Sequence, residues 1–582
     1  METSRPATCS SVCAIIWSSR AYSPILNAEI NNLLKKVDYL VLVYQRYWLH
    51  LIAIGLVGSL VLYLNGVPYG VDLPHHYRLA QGFFESIKGG DFYPSWLSSS
   101  NGGYGDPSVR FYPPALYYLL SFLRLLTGDW YLATLATLSL LTVSGCVGMY
   151  LWASALTDRP YAVLAALMYM LSPFHANEMY QAGMYAQYAA ASALPFVFAF
   201  AERIVANRRW RDAGGLGISC GMLILFHPPL ALLGSAGVGL YACIRLAQLF
   251  KWRSLYQLIA GTVSGLAFSA CYWLPMLLEL KWKSPSGSGQ DKWFDYQNNF
   301  IFHASPNPMG DYWIPIITAA TFLMALPVVV LFVRRKPQAL APALVALLTF
   351  LMATALSKPI WDALPALQET QFPWRWLTIT SASLSILVAI SLPELVRMWR
   401  TRLRPLSLVL LGITVIALSF TVLQVIRGAT FLSRSAFDQM VVSLQGSETN
   451  KDFLPVWVSD KPRTMDQPVE TSGREVHVTE WSMKQKEFQV EPGAPTEARL
   501  RILYYPYWKA TAEGKQLTTR PATDGALLVS IAQTATQVKV NFVEPASSYV
   551  AGALSILGLV AIVVLFTDRF QQARFLQAAA NE

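Results

Sequence analysis

Apolar segments of about 20 residues recur along this chain, and they constrain its fold more than any other feature, because each can cross a bilayer as one helix. Hydrophobic residues make up 54% of the 582 and charged residues only 14%, which is typical of a membrane protein. We predict a polytopic α-helical membrane protein with about twelve transmembrane helices. The predicted spans are 47–65, 130–156, 160–174, 187–204, 214–227, 229–249, 255–277, 313–333, 338–356, 374–392, 405–426 and 548–567.

The basic residues indicate how these helices are oriented. Lys and Arg cluster at span ends on alternate loops, and such clusters resist translocation across the membrane. The net charge of +10 therefore reflects cytoplasmic loops rather than a nucleic-acid partner. We expect a multi-pass protein of the cell inner (plasma) membrane with both termini in the cytoplasm. The clusters lie at 203–211, 251–253, 334–336, 397–404 and 569–574.

This orientation divides the chain into four parts. Residues 1–46 form a cytoplasmic lead, and 47–426 form a transmembrane domain whose first loop, 66–129, faces outward. Residues 427–547 form an extracytoplasmic domain, and 548–582 contain the last transmembrane helix and a cytoplasmic tail. Within 427–547, several segments alternate apolar and polar residues between turn signals, which predicts a small β-sandwich. Lid, partner-binding and stabilising roles are open for this β domain.

One further segment, Arg110–Gly128, is apolar enough to span the membrane. Counting it as a span would place the basic cluster at 203–211 outside the cell. We therefore predict an amphipathic helix that lies at the outer interface, with Arg124 extending towards the headgroups. A true span paired with a re-entrant segment elsewhere is the alternative.

The sequence lacks the common nucleotide and metalloprotease motifs. It contains no Walker loop, no GxGxxG that opens a helix after a strand, and no HExxH. An activated substrate is therefore expected to come from the membrane. None of the six cysteines falls in a loop that faces outward, so no disulfide framework is expected. The sequence requires no cofactor, and the use of a divalent metal is an open question.

Several short motifs carry a resemblance to a known family. They are GGDFYPSW (Gly89–Trp96), NGGYGDP (Asn101–Pro107), FYPPALYYL (Phe111–Leu119), LQETQFPWRW (Leu367–Trp376) and YYPYWKA (Tyr504–Ala510). In order and spacing over most of 47–567, the chain resembles the GT-C superfamily of membrane glycosyltransferases. More closely, it resembles bacterial membrane proteins called "6-pyruvoyl-tetrahydropterin synthase-related" and their YfhO-like relatives. The resemblance implies a GT-C-like fold and a polyprenyl-phosphate sugar donor, and the pterin label implies no pterin chemistry.

The resemblance also implies roles for two acidic residues. In the family, a carboxylate just beyond the first span acts as general base, which corresponds to Asp72. A second acidic position in the next outward loop corresponds to Glu178. Many GT-C enzymes carry paired acids in the first loop, whereas Asp72 stands between Val71 and Leu73. This departure is why metal use stays open.

A single carboxylate satisfies the chemistry, because a polyprenyl phosphate leaves as a stabilised anion and needs no general acid. A base must take the proton of the acceptor's hydroxyl group, and other groups must hold the phosphate. We assign the first task to Asp72 and the second, or contact with the acceptor, to His75, His76, Arg375 and Glu178. The plainer interpretations are that Asp72 caps a helix, the histidines are interfacial, Arg375 anchors a helix end, and Glu178 faces water.

Nearby residues refine these assignments. Pro373 is expected to start a helix, which puts Arg375 in its first turn, where free backbone N–H groups favour an anion. His227, in the sequence FHPP, is more often a structural residue at a helix end. Asp91 and Asp106 are turn formers beside glycines.

Together with the predicted topology, the resemblance implies a bacterial inner-membrane glycosyltransferase. It would move a sugar from a polyprenyl-phosphate carrier to an outward-facing glycan, lipid or protein acceptor. A transporter or flippase for lipid-linked saccharides is the alternative, and it would place ionisable residues at mid-span and contain broken helices and repeats. A non-catalytic protein of envelope assembly is the third interpretation.

Overall fold

Helices dominate the chain up to residue 443 and return after residue 545. The structure is a computed structural model that describes residues 47–284, 294–302, 320–321, 336–398, 404–448, 453–458, 462–534 and 536–567. The predicted cytoplasmic lead 1–46, the tail after residue 567 and nearly all of the predicted span 313–333 lie outside the described residues.

Long apolar runs form helices because a helix satisfies every backbone hydrogen bond within one segment, as hydrocarbon surroundings require. Shorter helices build the connecting loops. The described α-helices are Tyr47–Gly58, Leu60–Asn65, Leu73–Lys88, Ser100–Gly103, Ser108–Phe111, Ala115–Thr127, Trp130–Ala153, Arg159–Met170, Pro173–Asn177, Tyr185–Asn207, Trp210–Phe226, Pro228–Leu249, Trp252–Phe268, Ala270–Glu279, Pro337–Met352, Lys358–Ala363, Pro365–Gln368, Leu377–Met398, Arg404–Arg427, Arg434–Ser443 and Ala546–Phe566. A π-helical turn covers Glu178–Ala182, and 3₁₀ turns cover Leu280–Trp282, Tyr296–Asn298, Ala355–Ser357 and Pro373–Trp376.

The described residues contain five helices that are long and apolar enough to cross a membrane, or six if a bent pair counts as one span. The bent pair, Trp252–Phe268 and Ala270–Trp282, turns by 65°. The other predicted spans in the described ranges fall on helices that do not reach this length or hydropathy, so the count of twelve is not confirmed. The five are Trp130–Ala153, Tyr185–Asn207, Pro228–Leu249, Pro373–Met398 and Ala546–Phe566.

The segment predicted to lie at the membrane interface forms a helix over Ala115–Thr127. Its 13 residues extend over only about 20 Å, too short to cross a bilayer core of about 30 Å. One face is buried in the protein, while Phe122, Leu125 and Leu126 are exposed on the other. An apolar face without a protein partner agrees with the interfacial interpretation.

The predicted β domain contains two antiparallel sheets. The apolar and polar residues that alternate in the sequence correspond to buried and less buried positions along the strands. In Thr536–Phe542, every second residue is buried. Residues of both sheets share one hydrophobic core, which includes Phe488, Leu500, Leu527 and Val538. A separate β-sheet region before the last helix is therefore confirmed.

The sheet order departs from sequence order in both sheets. The strands are β1 Val67–Tyr69, β2 Thr430–Leu432, β3 Val469–Thr471, β4 Val476–Trp481, β5 Gln485–Val490, β6 Thr496–Leu503, β7 Trp508–Ala512, β8 Lys515–Leu517, β9 Thr519–Pro521, β10 Ala526–Ile531 and β11 Thr536–Phe542. One sheet has the order β3-β6-β10-β9 and the other β4-β5-β11-β7-β8. Strands β1 and β2 form a third, two-stranded sheet that joins the first loop to the segment after the helix Arg404–Arg427.

The first loop packs into the core of the β domain. Trp96 and Tyr104, from the first two motifs, are buried in that core. Trp96 lies edge-on against Trp508 of the YYPYWKA motif, with ring centroids 5.4 Å apart. The backbone N–H of Leu503 donates to the carbonyl of Tyr104 over 2.9 Å. These motifs, far apart in sequence, therefore hold the loop and the β domain together, which supports a stabilising role for the domain.

Candidate functional site

The segment that leads to Asp72 is fixed by two distant parts of the chain. Strand β1 pairs with β2, so residues just before Asp72 are held beside the segment that follows the helix Arg404–Arg427. Gly70 then crosses Gly183 so closely that a Cβ on Gly70 would lie 2.2 Å from the Gly183 nitrogen. Only glycine permits this approach, and the crossing places Asp72 beside the end of the π-helical turn that contains Glu178.

Asp72 occupies the position just before the helix Leu73–Lys88, yet its side chain does not cap that helix. Within the described ranges, its carboxylate makes no hydrogen bond and no ion pair. The side chain is partly exposed. Burial raises the pKa of Asp72 from 3.8 to about 6, against the opposing effect of Arg375. The capping interpretation therefore has no support in the geometry, and the carboxylate has the basicity that a general base needs.

Arg375 lies in the 3₁₀ turn Pro373–Trp376 at the start of a membrane-spanning helix, as predicted. It is buried, and its guanidinium lies 4.7 Å from the ring centre of Phe372. Nε donates to the side-chain oxygen of Gln187 over 2.8 Å, and Nη1 donates to the carbonyl of Thr370. Among the described residues, no partner is found for the third nitrogen, Nη2. One donor of a buried cation is thus left for a ligand.

Glu178 is buried rather than facing water. One oxygen accepts hydrogen bonds from Gln187 Nε2 over 2.6 Å and from Thr378 Oγ1 over 3.1 Å. The other lies 3.2 Å from His175 Nδ1. The side-chain oxygen of the same Gln187 accepts the hydrogen bond from Arg375 Nε. Glu178 therefore fixes the orientation of the Gln187 amide, and this amide in turn orients the Arg375 guanidinium. Glu178 thus contacts Arg375 only through Gln187, and a ligand bound to Arg375 would be separated from Glu178 by that side chain.

The two histidines sit in the first turn of the helix Leu73–Lys88. His75 stacks on Phe453 with ring centroids 5.5 Å apart. His76 is fully buried, stacks on Tyr185 at 5.7 Å, and its Nδ1 lies 3.1 Å from the hydroxyl of Tyr117. Nε2 of each ring is buried without a hydrogen-bond partner in the described chain.

Both imidazoles are neutral near pH 7. Burial lowers the pKa of His75 to about 4, with a smaller contribution from the charge of Arg78. Burial lowers the pKa of His76 to about 3, with a smaller contribution from His75. They are therefore available as neutral hydrogen-bonding groups and not as cations for a phosphate.

The N-terminal turn of the helix Tyr185–Asn207 brings the candidates together. Tyr185 stacks on His76, and its hydroxyl donates to the carbonyl of Pro68 over 2.9 Å. Two residues after Tyr185, the side-chain oxygen of Gln187 accepts the hydrogen bond from Arg375 Nε. Asp72, on the segment that follows Pro68, lies within the electrostatic range of Arg375. No group of three or more His, Cys, Asp and Glu side chains suited to a metal ion occurs among the described residues.

Sequence reasoning missed a second buried charge cluster. The guanidinium of Arg110 donates to both oxygens of Glu279, each over 2.6 Å, and also to Glu544. Tyr505 and Tyr507, from the YYPYWKA motif, donate to Glu279 over 2.6 and 3.2 Å. We name these five residues the Arg110 cluster. Their signal was a charged residue inside an apolar run, since Arg110 and Glu279 each adjoin a segment with few other charges.

The chain is similar to a family of membrane proteins. Residues 109–426 match the family model described as "6-pyruvoyl-tetrahydropterin synthase related domain; membrane protein". This match covers more than half of the chain. No curated protein matches the sequence.

Several solved structures are similar to parts of the chain, at low TM-score and low sequence identity. They include the arabinofuranosyltransferase AftD from Mycobacteria, with a TM-score of 0.44 and 14% identity over 69% of this chain and 28% of that chain. ArnT from Cupriavidus metallidurans bound to undecaprenyl phosphate has a TM-score of 0.38 and 18% identity over 62% and 63%. AglB is an oligosaccharyltransferase from Archaeoglobus fulgidus, solved in complex with an inhibitory peptide and a dolichol-phosphate. It has a TM-score of 0.39 and 13% identity over 70% of this chain and 61% of that chain. The chain thus spans under two thirds of each of these proteins.

Proposed function

The chain belongs to the 6-pyruvoyl-tetrahydropterin synthase related family of membrane proteins, and we propose that it is a membrane glycosyltransferase of the GT-C type. It transfers a sugar from a polyprenyl-phosphate carrier to a glycan, lipid or protein acceptor on the outer side of the inner membrane. The observation that carries this proposal is that Asp72 and Arg375 lie within electrostatic range of each other and that, among the described residues, the carboxylate of Asp72 and Nη2 of Arg375 have no hydrogen-bond partner.

Asp72 is the general base of the proposed reaction. Its carboxylate accepts the proton of the acceptor's hydroxyl group while that oxygen attacks the anomeric carbon of the sugar. The bond between this carbon and the phosphate oxygen breaks, and its electron pair leaves with the phosphate. With a pKa of about 6, Asp72 is mostly ionised at pH 7 and still basic enough to assist proton removal.

Arg375 holds the phosphate that leaves. Its Nη2 donates to a phosphate oxygen, while Gln187 and Thr370 fix the orientation of the guanidinium. The negative charge that builds up on the departing phosphate is stabilised by a cation already in place, so little reorganisation is needed. Because this leaving group is a stabilised anion, no general acid is required.

The test is transfer of a labelled sugar by the purified protein in detergent or nanodiscs. The donors are polyprenyl-phosphate monosaccharides, and the acceptors are extracted envelope glycans and lipids. Asp72→Asn keeps the size of the side chain and removes the base, so turnover should fall about 10²- to 10⁴-fold. Equal turnover by the variant and the wild type would contradict the role of Asp72 and favour a flippase for lipid-linked saccharides.

A matched control is Asp91→Asn in the same loop. The carboxylate of Asp91 is already bound by Lys484 Nζ over 2.7 Å and by the backbone N–H of Tyr93. Because it has structural partners, its neutralisation should leave turnover within about threefold of the wild type, as expected for a surface ion pair. A loss in both variants would show that general damage to the first loop, and not loss of the base, lowers turnover.

A further inference from the structure

His227 ends the helix Trp210–Phe226 and caps the next one, Pro228–Leu249. The backbone N–H of Leu230 donates to His227 Nδ1 over 3.1 Å. The residues between them are Pro228 and Pro229, which have no backbone N–H of their own. His227 therefore occupies the capping position of a 22-residue helix, and its ring is about nine-tenths buried.

This capping bond fixes the tautomer of the imidazole. A nitrogen that accepts an N–H carries no proton, so in the neutral ring the proton is on Nε2. Protonation of the ring would place a proton on Nδ1 and break the cap. His227 is therefore held as a neutral imidazole whose Nε2–H is a donor, and Nε2 lies on the opposite edge of the ring from the capped turn. No partner for Nε2 is found in the described chain.

His227 lies next to the candidate site. Arg375 and His76 are both within electrostatic range of its imidazole. The helix that it caps packs against the 3₁₀ turn Pro373–Trp376, which carries Arg375. The start of the helix Pro373–Met398 thus packs against the helix Pro228–Leu249, and His76 of the first loop is within electrostatic range of His227.

Several donors in this region are buried and have no partner among the described residues. They include the indole N–H groups of Trp374 and Trp376, which adjoin Arg375 in the sequence. His76 Nε2 is also buried without a partner there. An indole nitrogen can only donate. Buried donors without an acceptor are costly, and they are retained where a ligand supplies the acceptors. The Trp374 ring centre lies 5.8 Å from the guanidinium carbon of Arg375, so an unpartnered N–H beside a buried cation suits an anion with several oxygens.

We infer that His227 is a binding residue for the phosphate of the polyprenyl-phosphate donor, to which its Nε2–H donates. The inference rests on the proposed function and adds a contact that the resemblance does not assign. The positive end of the helix Pro228–Leu249 adds to the attraction for the anion. Arg375 and His227 then approach the phosphate from two different helices, which fixes its position and its charge.

The test uses undecaprenyl phosphate as the probe and measures its affinity for the purified full-length protein. His227→Asn keeps the cap, because asparagine is among the best capping residues, but its short side chain does not reach the phosphate. Binding should weaken roughly ten- to hundredfold, as expected when one hydrogen bond to a charged group is lost. His227→Ala removes both the cap and the contact, so it should bind as weakly as His227→Asn and melt at a lower temperature.

Several results would overturn the inference. Unchanged affinity in His227→Asn, while Arg375→Ala binds weakly, would leave the proposed function intact and reduce His227 to a cap. If only the less stable His227 variant bound undecaprenyl phosphate weakly, the loss of affinity would reflect loss of the cap, and His227 would again be reduced to a cap. Undecaprenol, which lacks the phosphate, is the matched ligand, and an equal loss of its binding would assign His227 to the lipid chain.

Two further arms separate the sources of the anion. Binding of inorganic phosphate but not of undecaprenyl phosphate by the wild type, lost in His227→Asn, would assign the site to a soluble anion and overturn the lipid donor. A wild-type protein that binds neither would overturn the inference together with the phosphate part of the proposed function. Binding of undecaprenyl phosphate that is lost in His227→Asn, with undecaprenol unaffected, is the expected result.

Discussion

Arg110 and Arg375 are both buried, yet their surroundings differ in one respect. All three nitrogens of the Arg110 guanidinium are hydrogen-bonded, and its partner Glu279 also receives two tyrosine hydroxyls. Arg375 leaves Nη2 without a partner in the described chain, and the nearby Asp72 makes no hydrogen bond there.

The difference separates a structural charge cluster from the site that we propose to be functional. A buried charge costs free energy unless hydrogen bonds and an opposite charge compensate for it. In the Arg110 cluster this compensation is complete, because every nitrogen of the guanidinium is hydrogen-bonded within the protein. The cluster therefore connects the first loop, the bent helix pair and the β domain, and its guanidinium has no nitrogen left for a ligand. At Asp72 and Arg375 the compensation from the described residues is incomplete, and the proposed function explains this cost by a substrate that completes the hydrogen bonds.

The largest stability effect is expected in the Arg110 cluster. Arg110→Ala leaves the buried carboxylate of Glu279 without its cation, and such a loss typically costs about 3–5 kcal/mol. The apparent melting temperature of the purified protein should fall steeply. Lys358→Ala is the control, since its ion pair with Asp362 is exposed and its removal should cause no measurable change. Similar melting temperatures for Arg110→Ala and the wild type would mean that the cluster does not stabilise the fold.

The next effect has the opposite sign and is expected at Asp72. Its pKa is raised from 3.8 to about 6, so the folded state binds the proton more tightly than the unfolded state does. The folded state is therefore penalised at pH values above about 6, by up to about 3 kcal/mol, because a tenfold change in proton affinity is worth about 1.4 kcal/mol. Asp72→Asn removes this penalty and should raise the melting temperature at pH 7.5.

The pH dependence of this gain is the internal control. Below about pH 4, Asp72 is protonated in both states and the penalty disappears. The difference in melting temperature between Asp72→Asn and the wild type should therefore shrink as the pH falls from 7.5 to 4. A constant difference over this range would show that the variant stabilises the protein for another reason.

A third prediction concerns the rate of sugar transfer. If Asp72 must be ionised, kcat/KM should decrease below about pH 6, by about tenfold for each further pH unit. His75 and His76 have pKa values of about 4 and 3, so they should contribute no step between pH 5 and 8. A limb that titrates near pH 4 would mean that Asp72 is not desolvated in the working enzyme.

The smallest stability losses are expected when either tyrosine of the Arg110 cluster is replaced by phenylalanine, and the two losses should differ. Tyr505 is fully buried and donates to Glu279 over 2.6 Å, whereas Tyr507 is only partly buried and its bond is 3.2 Å long. We expect Tyr505→Phe to cost about 1.5 kcal/mol and Tyr507→Phe less than about 1 kcal/mol. Thermal melting of the two variants measures the order, and a reversed order would contradict the hydrogen-bond geometry.

The candidate site could be predicted only in part from the sequence. The family resemblance points to Asp72 just beyond the first span, and Pro373 indicates a helix start that carries Arg375 in its first turn. The resemblance also points to Glu178, but the sequence does not predict that Glu178 contacts Arg375 through Gln187, because a hydrogen bond between residues on different helices leaves no local pattern. For His227 the sequence predicts only a structural residue, since it does not reveal that the helix Pro228–Leu249 packs against the turn that carries Arg375.

Local physics explains what the sequence determined by itself. Hydrophobic runs specify helices in lipid, and apolar–polar alternation specifies the strands of the β domain, because both patterns express which face of one segment is buried. The Gly70–Gly183 crossing, the burial of Trp96 among strands some 400 residues later and the completed bonds of Arg110 were decided by tertiary structure alone. Each depends on segments that meet only after folding, and the same meeting determines whether a buried charge is compensated within the protein or left for a ligand.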